Sequence, residues 1–435
     1  MTSGLRLTLL QITVLAILAA PFAGSMPRQR VRTVLEHDAI NYYGSPATDS
    51  ISELQKRMDR GEVRIETDPS FGYLTSTLRA LDIDVSSQVL VSSKTSLQVS
   101  LISPDTPRAI YFNDDTYVGW VQGSAALEIS TVDPRLGAVF YTLDQRSEGT
   151  PRADTPKFTR EFAVCLQCHD PAAPGHVMTS IIPDGTGLPL YYAGFFTTTD
   201  RSPMEERWAG WYVTGVHGQE RHLGNLIVAD PPAFKPGIRR DWITLDRSKG
   251  ANVTDLSAFL DTSKYLTGHS DIVALMVLGH QTSVQNQMTR LNYAARKAIH
   301  DANGADVLDA YKGEAERLIK DMLLVGEHQL ASPIAGSSGF AGDFQRRGPR
   351  DSRGRSLRTL DLTQRLFRYP LSYLVYSKAF AALPTPAKGY VCRRLVDILS
   401  GRDRSRDFEH IASKDRQAIL EILKETHPDF TGLPD

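Results

Sequence analysis

Hydrophobic positions along this chain change period more than once. An almost unbroken apolar run comes first, Leu7 to Ala20 (LTLLQITVLAILAA), interrupted by Thr8, Gln11 and Thr13. Polar loop with short helical stretches, such as Ile51 to Met58, follows to about residue 85. From Gln88 to Leu143 the period falls to two and β-formers dominate. Val89-Leu90-Val91 and Leu97-Gln98-Val99-Ser100-Leu101 read as strands. Ala109 to Phe112 and Tyr117 to Val121 flank the turn cluster Asn113-Asp114-Asp115, while Leu127 to Val132 and Ala138 to Tyr141 flank Asp133 to Gly137. Two hairpins are predicted there, and a third from Trp208 to Val216 and back along Leu223 to Val228.

From Asn252 onward the period is helical. Ser270 is placed to cap a helix from Asp271 to about Ala298, with Ile272, Met276, Val284, Met288 and Leu291 as its apolar stripe. Asp306 to Leu324 is amphipathic. Pro386 suits the first turn of a helix that stops before Gly401, and Ser413 caps a last helix ending before Pro428. Residues 332–356, rich in Gly, Ser and Arg (Arg346, Arg347, Arg350, Arg353, Arg355), read as a solvated, flexible loop rather than a docking patch. Strands first and helices later predict an α+β fold, with a β-hairpin-rich N-terminal half and an all-helical C-terminal half.

The first apolar run is too short to span a bilayer comfortably, which takes about 20 residues. It follows a short n-region carrying Arg6 and precedes Pro21 and the small residues Ala23-Gly24-Ser25, so it reads as a secretory signal peptide over 1–25 cut after Ser25. No later stretch is apolar enough to cross a membrane, and an uncleaved N-terminal anchor is the lesser alternative. The mature body divides into a mixed, β-rich region at 26–157, a segment at 158–250 and a helical region at 251–435. A formal net charge of −1 gives no reason to expect nucleic acid as a partner.

Only three cysteines are present, and two fall in Cys165-Leu166-Gln167-Cys168-His169. This is C-x-x-C-H, the attachment signature of c-type haem. Two thiols at this spacing add to the haem vinyl groups, and the next histidine sits under the iron as its proximal ligand. Export fits, because attachment takes place outside the bacterial cytoplasm. A structural zinc site would need a second Cys/His pair, a thioredoxin-type dithiol would need a βαβ setting, and a plain disulfide would leave His169 unexplained. Cys392, on a helix beside Arg393-Arg394, reads as a buried, inert thiol.

One haem c held by Cys165, Cys168 and His169 leaves an axial position. If Gly218 to Arg221 is a hairpin loop, His217 and His222 share a face, and one of them is the first choice for sixth ligand. Arg207 and Arg221 are then placed to pair with haem propionates. His280, on the inward stripe of its helix, is the second choice. Methionine or an open position remains. Met178 and His176 rank last, lying so close after the motif that the chain would have to loop sharply round the haem edge.

Beyond the pentapeptide, the stretches Phe158-Thr159-Arg160, Cys165 to Asp170, Pro174-Gly175-His176, Glu206-Arg207-Trp208 to Asn225, His280-Gln281-Thr282, and Arg365 to Pro370 with Tyr373 resemble exported bacterial cytochrome c domain-containing proteins. The resemblance extends over most of the mature chain. It implies haem and export, and it names no reaction. The leading expectation is a periplasmic or secreted single-haem electron carrier with redox partner proteins in the cell envelope. The alternative is a haem-dependent redox enzyme, for instance peroxidase-like, although no second C-x-x-C-H is present to store another electron.

Overall fold

The computed structural model describes residues 33–145, 156–162, 164–169, 173–231 and 245–432. The expected signal peptide and its cleavage site lie outside the described residues. The α+β expectation holds at that level: a six-stranded antiparallel sheet in the first half and helices in the second. The described residues belong to one compact unit that begins at Thr33. Among them, no helix is long and apolar enough to cross a membrane.

The sheet is a meander, β1 (Val89–Val91), β2 (Arg108–Phe112), β3 (Thr116–Trp120), β4 (Ala126–Asp133), β5 (Gly137–Asp144) and β6 (Phe158–Glu161), each strand paired with the next. The first two predicted hairpins are β2–β3 and β4–β5. Register sorts the side chains into two faces, since alternate residues of a strand point opposite ways. Tyr111, Val118, Ile129 and Tyr141 lie abreast on one face. That face is buried with Tyr42 and with α1 (Ser50–Asp59) and α2 (Leu74–Ala80) in one apolar cluster. On the other, Ile110, Gly119, Glu128 and Thr142 lie abreast, as do Phe112, Tyr117, Ser130 and Phe140. This second face is more polar and borders the cavity described below.

The long helix α3 (Ile272–Asp301) backs this face. Its cap is Asp271, whose carboxylate accepts from the Val273 and Ala274 amides, and not Ser270 as expected. Ser270 Oγ instead accepts from Leu90 N and donates to Tyr212 O, tying the sheet edge to the helix start. One side of α3 grips backbone carbonyls of the strand turns. Gln281 Nε2 donates to Asn113 O, Gln285 Nε2 to Asp114 O, Asn292 Nδ2 to Pro134 O and Tyr293 Oη to Leu136 O. The apolar stripe on its other side packs into the helical half, α4 (Lys312–Met322), α5 (Phe340–Arg346), α6 (Lys378–Ala381), α7 (Thr385–Leu399) and α8 (Ser413–Thr426).

Three local expectations are corrected. Leu97 to Leu101 is turn, not strand. The third hairpin is absent: Trp208 and Gly210 adopt positive φ, which breaks an extended run, and Asn225 takes a partner strand's place by bonding Val213 N and Val213 O through its side chain. Parts of that run pair elsewhere, Trp211 with Val91, Thr214 with Asp271, and β9 (Gly215–Val216) with β10 (Ala335–Gly336), whereas β7 (Thr179–Ile181) pairs with β8 (Phe195–Thr197). Finally, the Arg/Gly-rich stretch 332–356 is built into the fold rather than solvated throughout. It carries β10 and α5, buries Phe340 and Phe344, and folds Asp351 onto Arg355.

Candidate functional site

The motif sits in a tight turn that follows β6 directly. Leu166 N bonds Phe162 O, and Cys168 N and His169 N both bond Cys165 O, closing a short 3₁₀ turn over Cys165–Gln167. Leu166 is buried and anchors the turn in the sheet-side cluster. Cys165, Cys168 and His169 all border a cavity of about 530 Å³. That volume lies within the range of ligand and cofactor pockets, about 300–1,000 Å³. Its floor is the second face of the sheet, with Arg108, Ile110, Tyr117, Gly119, Glu128, Ser130, Phe140 and Thr142, and Leu278 and Thr282 of α3 form another wall. Lys94 to Val99 and the 176–195 region close the sides.

Two features of the cavity suit it to a ligand with both apolar and polar surface. Leu97, Val99, Val164, Val177, Tyr191 and Phe195 all border it and are unusually exposed for large hydrophobic side chains, Tyr191 at 69 % and Phe195 at 53 %. Arg108 and Glu128 form an ion pair of 3.0 Å on its floor, yet Arg108 Nε and Glu128 Oε1 are buried without a hydrogen-bond partner. A buried polar atom left unpaired costs about 1–3 kcal/mol, so such atoms beside an open volume mark a place for a polar group to arrive. Gly119 makes room for this pair, because a Cβ there would overlap the Arg108 guanidinium.

His169 keeps one ring nitrogen uncommitted. His169 Nδ1 donates to Gly175 O at 2.7 Å, which fixes the proton on Nδ1 and leaves Nε2 as the lone-pair nitrogen. Burial lowers its pKa and favours the neutral ring. Its ring lies 4.5 Å from Phe140. The thiols of Cys165 and Cys168 are free, and burial among Glu161 and Glu128 pushes Cys165 up to about 11. Among the described residues, no further His, Cys, Asp or Glu completes a metal-ligating cluster with these three. The group that does gather such donors, His37, His300 and Asp301, lies at the far end of α3. Among the described residues, four-ligand structural zinc at the motif therefore lacks its donors.

The other histidines expected at the iron are elsewhere. His217 and His222 do come together, with rings 4.7 Å apart, although no hairpin joins them. His217 is saturated: Nδ1 donates to Glu220 O and Nε2 accepts from Asn252 N. His222 Nδ1 accepts from Gly224 N, and its ring, 2 % exposed, packs against Trp208; neither histidine borders the cavity. Arg207 is buried with its guanidinium on Ser202 O and Asp200 O, and Arg221 bonds Gly218 O and Glu220 O; neither borders the cavity. His280 is inward-facing as expected, but on the opposite side of α3 from Leu278 and Thr282. Its Nδ1 donates to Asp200 Oδ2 and its Nε2 accepts from Ser372 Oγ, each at 2.8 Å. The sequence Ser, His, Asp is that of a hydrolase relay, yet His280 and Ser372 are fully buried, so no substrate reaches the serine.

The two residues ranked last do border the cavity. Met178 is 3 % exposed there, and a Cβ on Gly279 of α3 would lie 3.6 Å from its sulfur. His176 lies under Tyr117, ring to ring at 4.5 Å, with Nε2 on Ser130 Oγ at 2.7 Å. Burial, reinforced by His169, lowers its pKa to about 3 and keeps it neutral. Gly175, just before these two residues, packs under the Asn286 side chain because it has none of its own. The polar residues facing the cavity from the sheet, Arg108, Glu128 and Ser130, were missed by sequence reading; their period-two spacing opposite an apolar face was the available signal.

Comparison with protein-family models, curated proteins and solved structures finds no match to this chain.

Proposed function

We propose that this chain is an exported c-type haem protein of the cell envelope that carries electrons between partner proteins through one covalently held haem. The observation that supports it is the coincidence of three things at one cavity: two free thiols, an imidazole whose Nδ1 proton is already committed to a carbonyl, and exposed apolar walls. The donor set fits haem c. Cys165 and Cys168 would hold the macrocycle by thioether bonds and His169 would bind the iron. Lys94 and Arg108, the cations that border the cavity, take over from Arg207 and Arg221 as candidate partners for the carboxylates. Met178 replaces the 217/222 pair as candidate sixth ligand, because its thioether is uncommitted, whereas His176 Nε2 is bonded to Ser130. When bound, haem supplies a one-electron iron couple; the chain's part is to exclude water from it and fix its axial donor.

A second reading, a haem enzyme, is favoured by one observation. His176, neutral and bonded to Ser130, is a proton-handling group in the same cavity.

Periplasmic expression with the haem-attachment machinery tests the first reading. A denaturing gel should retain haem-stain activity after acid-acetone extraction, and Cys165→Ala/Cys168→Ala should lose it completely. Loss of stain from the natural sequence would sink the proposal. Rapid binding of carbon monoxide by a high-spin ferrous protein would transfer support to the enzyme.

A further inference from the structure

We propose that Asn286, in the middle of α3, is a positioning residue for the His169 imidazole, acting through the backbone of Gly175 and His176. This rests on the haem reading. The side-chain amide of Asn286 brackets one residue from both sides: Oδ1 accepts from His176 N at 2.9 Å and Nδ2 donates to His176 O at 2.6 Å. That grip fixes the peptide unit whose carbonyl, Gly175 O, receives the His169 Nδ1 proton. Gly175 fits under the amide because it lacks a side chain; a Cβ there would overlap Asn286 Oδ1. One residue earlier, Pro174 O is held by Ala138 N, at the start of β5. The loop is thus pinned from the sheet and from α3, and the carbonyl between has little freedom.

The chemical consequence follows from the role of the second nitrogen of a ligating histidine. A strong Nδ1–H···O bond raises the donor strength of Nε2 and sets the ring's rotation about the metal bond. A mid-helix asparagine, more than a hundred residues from the motif, therefore tunes the electron density at His169 without touching it. Asn286 lies one helical turn beyond Thr282, which borders the cavity, so the same face of α3 that walls the cavity also holds its ligand loop.

The test uses the full, haem-loaded protein. Asn286→Leu keeps the volume and removes both hydrogen bonds. Haem should remain covalently attached. The one-electron reduction equilibrium should shift toward the ferrous state by about tenfold, equivalent to 59 mV. Exchange of the His169 Nδ1 proton with solvent, followed by NMR in the ferrous protein, should quicken by about tenfold or more. If Asn286→Leu does not accumulate, Gly175→Ala is made alone and with Asn286→Ala. The single variant drives a methyl into the amide and should lose holoprotein; the double variant makes room, and should regain yield while keeping the fast exchange and the shifted equilibrium. Natural-sequence values for both quantities in Asn286→Leu or in the double variant would reduce Asn286 to packing and overturn the proposal. Absence of covalent haem from the natural sequence is read from the stain beforehand, so failure of the haem reading is told apart from failure of this one.

Discussion

Two histidine-rich regions of this molecule differ in what their nitrogens have left to do. Around 207–222, and at His280 beside it, most of the hydrogen-bonding capacity is used. His217 and His280 spend both ring nitrogens, Arg207 caps two carbonyls, His222 Nε2 is unpaired but buried away from the cavity, and the His222 and His280 rings meet Trp208 and Phe367 edge to face. Around 165–178, His169 spends one nitrogen, two thiols are free, Met178 has its sulfur uncommitted, and an open volume lies beside all of them. Histidine content and convergence of aromatics do not separate the two. Residual donor capacity next to a cavity does, because a saturated buried histidine has no lone pair to offer without breaking a bond worth about 1 kcal/mol or more.

The sharpest way to break this comparison is to remove one histidine from each region. His169→Ala should abolish the low-spin spectrum or the holoprotein itself. His280→Ala should leave the spectrum of the haem-loaded protein unchanged while costing about 3 kcal/mol in urea unfolding, since it removes a fully buried ring and its bonds to Asp200 and Ser372. A high-spin spectrum from His280→Ala, with His169→Ala unaffected, would reverse the assignment of the two regions.

A smaller effect sharpens the reading within the cavity. Met178→Ala should open the iron to carbon monoxide while the haem stays attached, whereas His176→Ala should leave the ligand field intact and loosen the Ser130 and Tyr117 contacts. If His176→Ala opens the iron and Met178→Ala does not, the axial donor is the histidine, and its bond to Ser130 must give way on ligation.

How much of this was legible beforehand depended on whether the signal was local. The β2–β3 and β4–β5 hairpins could be read because alternation and turn residues such as Asn113-Asp114 and Asp133-Pro134 act over a few positions. The α3 stripe was legible for the same reason. The third hairpin was misread because its pattern was right but its backbone was not: positive φ at Trp208 and the side-chain pairing by Asn225 leave no periodic trace. The C-x-x-C-H motif announced the cavity, yet its walls come from β2 to β5, the 94–99 loop and α3, a set assembled only by the tertiary fold. Met178 was discounted on sequence distance, yet it lines the cavity, close after a glycine that packs under an asparagine 111 residues further on.

The least conspicuous effect concerns the sealed region and pH. Glu327 lies there, accepting from Leu366 N and facing Asp200, His280 and Arg207. Burial, with Asp200 adding like charge, raises its carboxyl from 4.5 to about 7. The folded protein therefore holds this proton more tightly than the unfolded chain does. The resulting stabilisation is complete below the unfolded value of 4.5, declines as pH rises, and is gone above about 7. Its full size is about 3 kcal/mol, at about 1.4 kcal/mol for each pH unit between the two values. Glu327→Gln stays neutral throughout, so comparing the two proteins isolates the carboxyl from the buried histidines, whose lowered pKa values act in the opposite direction over the overlapping range from about 3 to 6.5. Urea midpoints from pH 4 to 8 should show the natural protein losing ground steadily to Glu327→Gln above pH 4.5, while the haem spectrum of both stays the same. A difference that is flat with pH would mean that Glu327 ionises freely and the region is not sealed. A haem spectrum that follows the Glu327 titration would mean that the two regions are coupled, and the contrast between them would no longer hold.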